Sequence, residues 1–124
     1  MDSFQFESKC WGRVAHLFSS SQAAVSYLQV NAGFRCSMHS HKERVNKFAV
    51  LSGKLLIEEW GGAGKYQATE LGPGETYTVP VDVVHRFQVL ESGEVIEVYW
   101  PAHENSIVRL DDIKRLDHGG RVGG

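Results

Sequence analysis

Two histidines separated by one residue, His39 and His41, and a third histidine, His85, are the residues of this sequence best suited to chemistry. Side chains on a β-strand alternate between its two faces, so His39 and His41 would point the same way on an extended segment. Imidazole nitrogen is a common ligand for zinc, copper, nickel and iron. Any one of these histidines alone is better explained as a surface or core residue, but the three together predict a divalent metal site.

Length and composition predict one globular domain over residues 1–124, with 42% hydrophobic and 23% charged residues. A net charge of -2 gives no overall attraction to nucleic acid or to an anionic membrane, and no apolar run approaches the ~20 residues of a membrane span. We therefore expect neither partner. Cys10 and Cys36 have no CxxC spacing and no secretion signal is evident, so we expect free thiols and a cytoplasmic protein, with a single bridge left open.

Short extended segments separated by glycine-bearing turns fill most of the sequence and predict a β-sandwich or barrel. The barrel core is expected at about 24–100, between an N-terminal arm (1–23) and a C-terminal arm (101–124). Residues 106–116 have some helical periodicity after a capping residue, Asn105, and are the main helix signal. The predicted strands are 24–30, 35–39, 47–51, 54–60, 66–70, 76–80, 85–90 and 94–100.

Some predicted strands, such as 94–100, carry apolar residues on both of their faces. A strand of this kind is packed on both sides, so the outside of the barrel must be covered there. The cover is either a terminal arm or a second subunit. Because little helix is available, we expect a homodimer.

Two segments of the sequence resemble the two motifs of the cupin family. The first is Gly33-x5-His39-x-His41-x4-Asn46-x6-Gly53, and the second is Gly74-x5-Pro80-x-Asp82-x2-His85-x3-Val89. The resemblance implies an all-β fold, the cupin double-stranded β-helix or jelly-roll barrel. It also implies that His39, His41 and His85 bind a divalent metal, which could be zinc, manganese, iron, nickel or cobalt.

The sequence departs from the cupin motifs at three positions. Asn46 stands where cupins usually have a glutamate ligand, so Asn46 is a weak fourth ligand and Glu43 is its candidate substitute. Asp82 stands at a usual glycine and Val89 at a usual asparagine. We expect these two changes to affect turn shape and packing rather than chemistry.

Further segments resemble the mannose-6-phosphate isomerase-like cupins, and the similarity covers about residues 9–121. They are Trp11-Gly12, 48–53, 96–98 and 106–111. This resemblance implies a sugar or sugar phosphate as ligand and a sugar-phosphate isomerase as the function. Because one fold hosts many activities, two alternatives stay open: a carbohydrate- or metabolite-binding protein without turnover, and, ranked lower, an iron-dependent dioxygenase.

An aldose-ketose isomerase needs a Lewis acid to polarise the carbonyl and a base to carry a proton between C1 and C2. Glu97, in an apolar strand, and Glu43, in a charged turn, are the candidate bases. Glu43 is better explained as an exposed carboxylate in a turn. Glu97 must face either the barrel interior or solvent, and its partner is not evident from the sequence.

The substrate phosphate needs a cation, and Arg109 is the first candidate because a guanidinium binds two oxygens at once. A surface ion pair is the alternative role for Arg109. Lys47 and Arg86 are further candidates, although each is better explained as a solvated charge on a strand. Phe87, on the same strand parity as His85, is predicted to form a wall of the pocket.

Overall fold

The computed structural model describes residues 2–61, 64–101, 107–109 and 119–123, with only the backbone described for 107–109. Within these residues the chain forms eleven antiparallel strands and no helix, joined in one curled sheet. None of these residues forms a helix that could cross a membrane. The all-β barrel predicted from the sequence is confirmed. The strands are β1 (Phe6–Lys9), β2 (Gly12–Ser19), β3 (Ala24–Val30), β4 (Phe34–Arg35), β5 (His39–His41), β6 (Val45–Trp60), β7 (Tyr66–Leu71), β8 (Thr76–Val79), β9 (Val84–Trp100), β10 (Ile107–Arg109) and β11 (Gly120–Arg121).

The two long strands β6 and β9 pair along nearly their whole length and organise the barrel. The sequence predicted four short strands here, because Ser52-Gly53 and Glu91-Ser92-Gly93 look like turns. The structure has bulges at these points instead, where the pairing register shifts. A Cβ atom at Gly53 would lie 2.6 Å from the carbonyl oxygen of Glu91, and one at Gly93 would lie 2.1 Å from that of Ser52. These glycines therefore let the two backbones approach closely while both strands continue.

The predicted N-terminal arm contributes strands β1 and β2, which extend the sheet beyond β3. The sequence did not reveal β2 because its alternation is broken. Val14 and Ala15 are both buried although they are consecutive, and the register shifts between His16 and Phe18. Strand β3 coincides with the predicted segment 24–30.

Two other segments differ from the sequence-based expectation. The predicted strand 35–39 is replaced by the shorter strands β4 and β5, with residues 36–38 outside both. The helix expected at 106–116 is wrong over Ile107–Arg109, which is extended and pairs with β5. Its pairing with the strand edge outweighs a weak helical periodicity. The rest of that predicted helix lies outside the described residues.

The inside of the barrel is divided between an apolar core and a polar cavity. Phe4 and Phe6 of the N-terminal segment pack on Tyr27 with ring centroids 5.5 and 6.2 Å away, so this segment covers part of the outside of the sheet. The homodimer stays a prediction. The core includes Trp11, Val14, Leu28, Val30, Phe48, Val50, Leu55, Ile57, Leu71, Val79, Phe87, Val89 and Val95.

Candidate metal centre

Strands β5 and β9 bring the three histidines of the motifs together. His39 pairs directly with His85, and His41 lies on the same strand as His39. One ligand atom from each of the three rings lies within 4.8 Å of the others. Nitrogen ligands about 2.1 Å from one metal lie about 3.0–3.4 Å from one another in octahedral or tetrahedral geometry, so the three rings would move closer together to complete a three-imidazole site.

Backbone carbonyl groups fix the tautomers of two of these rings. Nδ1 of His39 lies 2.8 Å from the carbonyl oxygen of Ser37, and Nδ1 of His85 lies 2.8 Å from that of Val83. A carbonyl oxygen can only accept a hydrogen bond, so each Nδ1 carries the proton and each Nε2 keeps its lone pair. This is the arrangement in which a second hydrogen bond orients a metal-binding histidine.

The environment of His85 favours the form of the ring that binds metals. Burial lowers the pKa of His85 to about 4, although the bond to the Val83 carbonyl opposes this shift, so the ring is neutral at pH 7. Its Nε2 atom is buried and has no hydrogen-bond partner among the residues that the structure describes. Buried polar atoms without partners are rare, and a metal ion would satisfy this one.

The turn before His85 explains one departure from the cupin motif. Asp82 has a φ of 62°, in the left-handed region that favours glycine but that aspartate also tolerates. Its backbone N–H donates to the carbonyl oxygen of His41 at 2.7 Å. This bond ties the turn that precedes β9 to the end of β5, and so brings the two halves of the site together.

The three histidines line a cavity of about 330 Å³ in the mouth of the barrel, together with Asn46 and Glu97. The Asn46 side chain is 3% exposed, and its Nδ2 donates to Oε2 of Glu97 at 2.5 Å. Among the described residues, Oδ1 of Asn46 has no hydrogen-bond partner. Glu97 is half-buried and lines the cavity. Burial raises the pKa of its carboxyl group, and the Asn46 hydrogen bond and the charge of Arg44 offset only part of this shift.

The structure brings six of the candidate residues from the sequence into this cavity and leaves others outside it. Glu43 and Lys47 are exposed, and neither lines the cavity. Arg86 lies outside it as well, with its Nε 2.8 Å from Oε1 of Glu58. The backbone of Arg109 is paired with that of His39, while its side chain is outside the described residues. The residues brought together are His39, His41, Asn46, His85, Phe87 and Glu97.

The sequence did not point to several other residues of the cavity wall, including Lys9, His16 and Arg44. Nδ1 of His16 lies 3.0 Å from Oγ of Ser26, its partner across β2 and β3. Only the register of β2 could have revealed this pair, and that strand was assigned to an arm.

Both cysteines line the same cavity as free thiols. Cys10 is exposed and Cys36 is buried. Burial raises the pKa of the Cys36 thiol to about 12, although a hydrogen bond from the Phe87 backbone opposes the shift. The Cys36 thiol is therefore protonated and unreactive at pH 7.

Comparison with known protein families and with characterised proteins finds no match. Among solved structures, oxalate decarboxylase from Bacillus subtilis at pH 4.6 is similar, with a TM-score of 0.78 and 20% identity over 89% of this chain and 31% of that one. A serine-to-alanine variant of the same enzyme has a TM-score of 0.77 and 20% identity, with the same coverage.

A structure of that enzyme studied for its Mn(II) centres has a TM-score of 0.75 and 20% identity, over 86% of this chain and 30% of that one. This chain spans less than a third of the length of these neighbours. At this level of identity the likeness concerns the fold. It shows that the chain has the cupin fold, the jelly-roll β-barrel that the two motifs implied.

Proposed function

We propose that this chain is a metal-dependent cupin that binds a sugar phosphate and isomerises it by moving a proton between adjacent carbons. The observation that carries this proposal is the presence of a half-buried carboxyl group, Glu97, in the same cavity as the three histidines. A divalent metal bound there would supply a Lewis acid for the carbonyl of the substrate. Manganese is the first metal to test, since the neighbour oxalate decarboxylase has Mn(II) centres.

The protein side chains would divide the remaining work. Three neutral imidazoles add no negative charge, so the full charge of the metal would act on the substrate oxygens. Glu97 would carry the proton, because a carboxyl group with a raised pKa is better matched to proton transfer near neutral pH. Phe87 forms part of the wall that would hold the carbon chain of the substrate.

The charges around the cavity fit an anionic ligand. Lys9 and Arg44 are among its lining residues. Strand β10 pairs with the strand that carries His39 and His41, and we propose Arg109, on β10, as the phosphate-binding residue that the family resemblance implies. A cytoplasmic location and a homodimer belong to the same proposal, the first because both cysteines are free thiols.

The test is to load the protein with manganese, zinc, cobalt, nickel or iron and to supply mannose 6-phosphate or fructose 6-phosphate in deuterated water. We expect interconversion, with deuterium entering at C1 of the fructose 6-phosphate product or at C2 of the mannose 6-phosphate product, observed by NMR spectroscopy. Glu97→Gln should abolish turnover and Glu91→Gln, a change of an exposed carboxylate on the same strand, should not. Absence of conversion with every metal would overturn the isomerase proposal.

One observation favours the alternative of a binding protein without turnover. Asn46 replaces the usual carboxylate ligand by an amide, which weakens the hold on a catalytic metal. The same metal-loaded protein should therefore be titrated with sugar phosphates and with oxalate, the substrate named for its structural neighbours. Saturable binding without conversion would support this alternative. Oxygen consumption by the iron-loaded protein would instead support a dioxygenase.

A further inference from the structure

Asn46 and Glu97 form a pair whose geometry depends on both residues. They come from neighbouring strands, since Glu97 pairs with Phe48 and Asn46 pairs with Tyr99. The hydrogen bond from Nδ2 of Asn46 to Oε2 of Glu97 is 2.5 Å long. Hydrogen bonds to a carboxylate are among the stronger ones in proteins. The Asn46 amide is therefore held in one orientation.

This orientation decides where the amide oxygen points. A carboxamide group is planar, with its nitrogen and oxygen on opposite sides, so directing Nδ2 at Glu97 turns Oδ1 away from Glu97. Within the described part of the chain, Oδ1 receives no hydrogen bond, and Asn46 is 3% exposed. Leaving a buried acceptor unpaired in this way is energetically unfavourable. The residue lines the same cavity as the three histidines, where an ion or a ligand could satisfy the oxygen.

We infer that Glu97 is a positioning residue for the metal centre, and that it holds the Asn46 amide so that Oδ1 serves as a fourth, neutral oxygen ligand beside the three imidazoles. The carboxylate then lies one hydrogen bond away from the metal, in the place where carboxylates commonly orient metal ligands. This inference rests on metal binding within the proposed function, and it does not depend on isomerase activity.

The experiment measures Mn(II) affinity by competition with a chelator, in the absence of any substrate. Glu97→Ala should weaken binding by about 10- to 100-fold, the usual effect of removing a residue that orients a ligand. Glu97→Gln should retain affinity within about threefold, because its amide oxygen can still accept the bond from Nδ2 of Asn46. His16→Gln, which changes another polar residue of the cavity wall, should leave the affinity unchanged.

A double-mutant cycle separates positioning from a general effect of charge. In the Asn46→Ala background, Glu97→Ala should cause no further loss of affinity, because the amide it orients is already absent. The visible spectrum of the Co(II)-loaded protein should change alike in Glu97→Ala and Asn46→Ala, as one oxygen ligand is lost. If Glu97→Ala does not fold, Glu97→Ser replaces it.

Three outcomes would overturn the inference. Equal losses in Glu97→Gln and Glu97→Ala would indicate that only the charge matters. A full additional loss in the Asn46→Ala background would indicate that Glu97 acts independently of Asn46. Unchanged affinity in Glu97→Ala would remove any role in metal binding. Since all these measurements use the metal alone, failure of isomerase activity would leave their interpretation intact.

Discussion

His85 and Arg86 are neighbours on β9, yet they belong to two polar clusters of opposite character. His85 faces the cavity, and its buried Nε2 has no hydrogen-bond partner in the described part of the chain. Arg86 faces the other side of the sheet, where Glu58 accepts hydrogen bonds from Arg86, Gln88 and Tyr66 at 2.7–2.8 Å. The outer cluster satisfies its own polar groups, whereas the inner one leaves a buried atom for a ligand to satisfy.

The two carboxyl groups of these clusters show the same contrast. Burial alone would raise the pKa of Glu58, but hydrogen bonds from Arg86, Gln88 and Tyr66 outweigh it and hold that pKa below its usual range. Among the residues that the structure describes, Glu97 accepts one hydrogen bond, from Asn46, and its pKa is raised. The number of donors, more than burial itself, separates a structural carboxylate from one suited to chemistry.

The largest expected effect concerns the outer cluster. Glu58→Ala should lower the free energy of unfolding by about 3–5 kcal/mol, because it leaves the buried Arg86 guanidinium without its carboxylate. Metal affinity should not change. Urea unfolding of the metal-free protein measures the free energy of unfolding, and competition with a chelator measures the metal affinity. Lys54→Ala, which removes an exposed ion pair, is the control. A loss below about 1 kcal/mol would show that the outer cluster is not structural.

The opposite pattern is expected for the inner cluster. His85→Ala should weaken metal binding by more than about 100-fold, which exceeds the effect of most residues that only orient ligands. It should change the stability of the metal-free protein much less than Glu58→Ala does. Metal analysis and calorimetric titration provide the measurements, and His16→Ala is the matched control. Stoichiometric metal in both His39→Ala and His85→Ala would refute the three-histidine site.

A smaller effect is expected when the charge of the fourth ligand position is altered. Asn46→Glu alone should improve metal affinity only slightly. The new carboxylate cannot donate a hydrogen bond to Glu97, as the Asn46 amide does, and it lies against the carboxylate of Glu97 instead. Combining Asn46→Glu with Glu97→Gln should raise affinity by about tenfold, since an anionic oxygen binds a divalent cation better than an amide oxygen does. Equal affinities for the single and double variants would argue against contact between these residues.

The smallest effect concerns pH. Because the folded-state pKa of Glu58 is lowered, its contribution to stability is present above the unfolded value near 4.5 and is lost as pH falls through the folded value. Wild type should therefore exceed Glu58→Gln in stability at pH 7, and the difference should shrink below about pH 4.5. Urea unfolding of both proteins between pH 3 and pH 7 tests this. A constant difference across that range would contradict it.

Local spacing explains what the sequence could predict. The alternation of side chains on one short strand was enough to place His39 and His41 together, and the paired motifs added His85. The contact between Asn46 and Glu97 depends on the register of β6 against β9, which shifts at bulges that resemble turns in the sequence. Arg86 was a candidate for the cavity because it lies near the second motif. Adjacent residues on a strand face opposite sides of the sheet, so Arg86 faces away from the cavity that His85 lines. Its role depended on a partner, Glu58, from a distant part of the chain.

The carbonyl groups that hold His39 and His85 belong to the backbone at Ser37 and Val83. A substitution at either position changes a side chain but leaves the carbonyl oxygen in place, as long as the backbone keeps its path. The orientation of these imidazoles is therefore tolerant of mutation at the residues that enforce it. Over evolutionary time, such a centre could keep its geometry while the sequence around its histidines drifted.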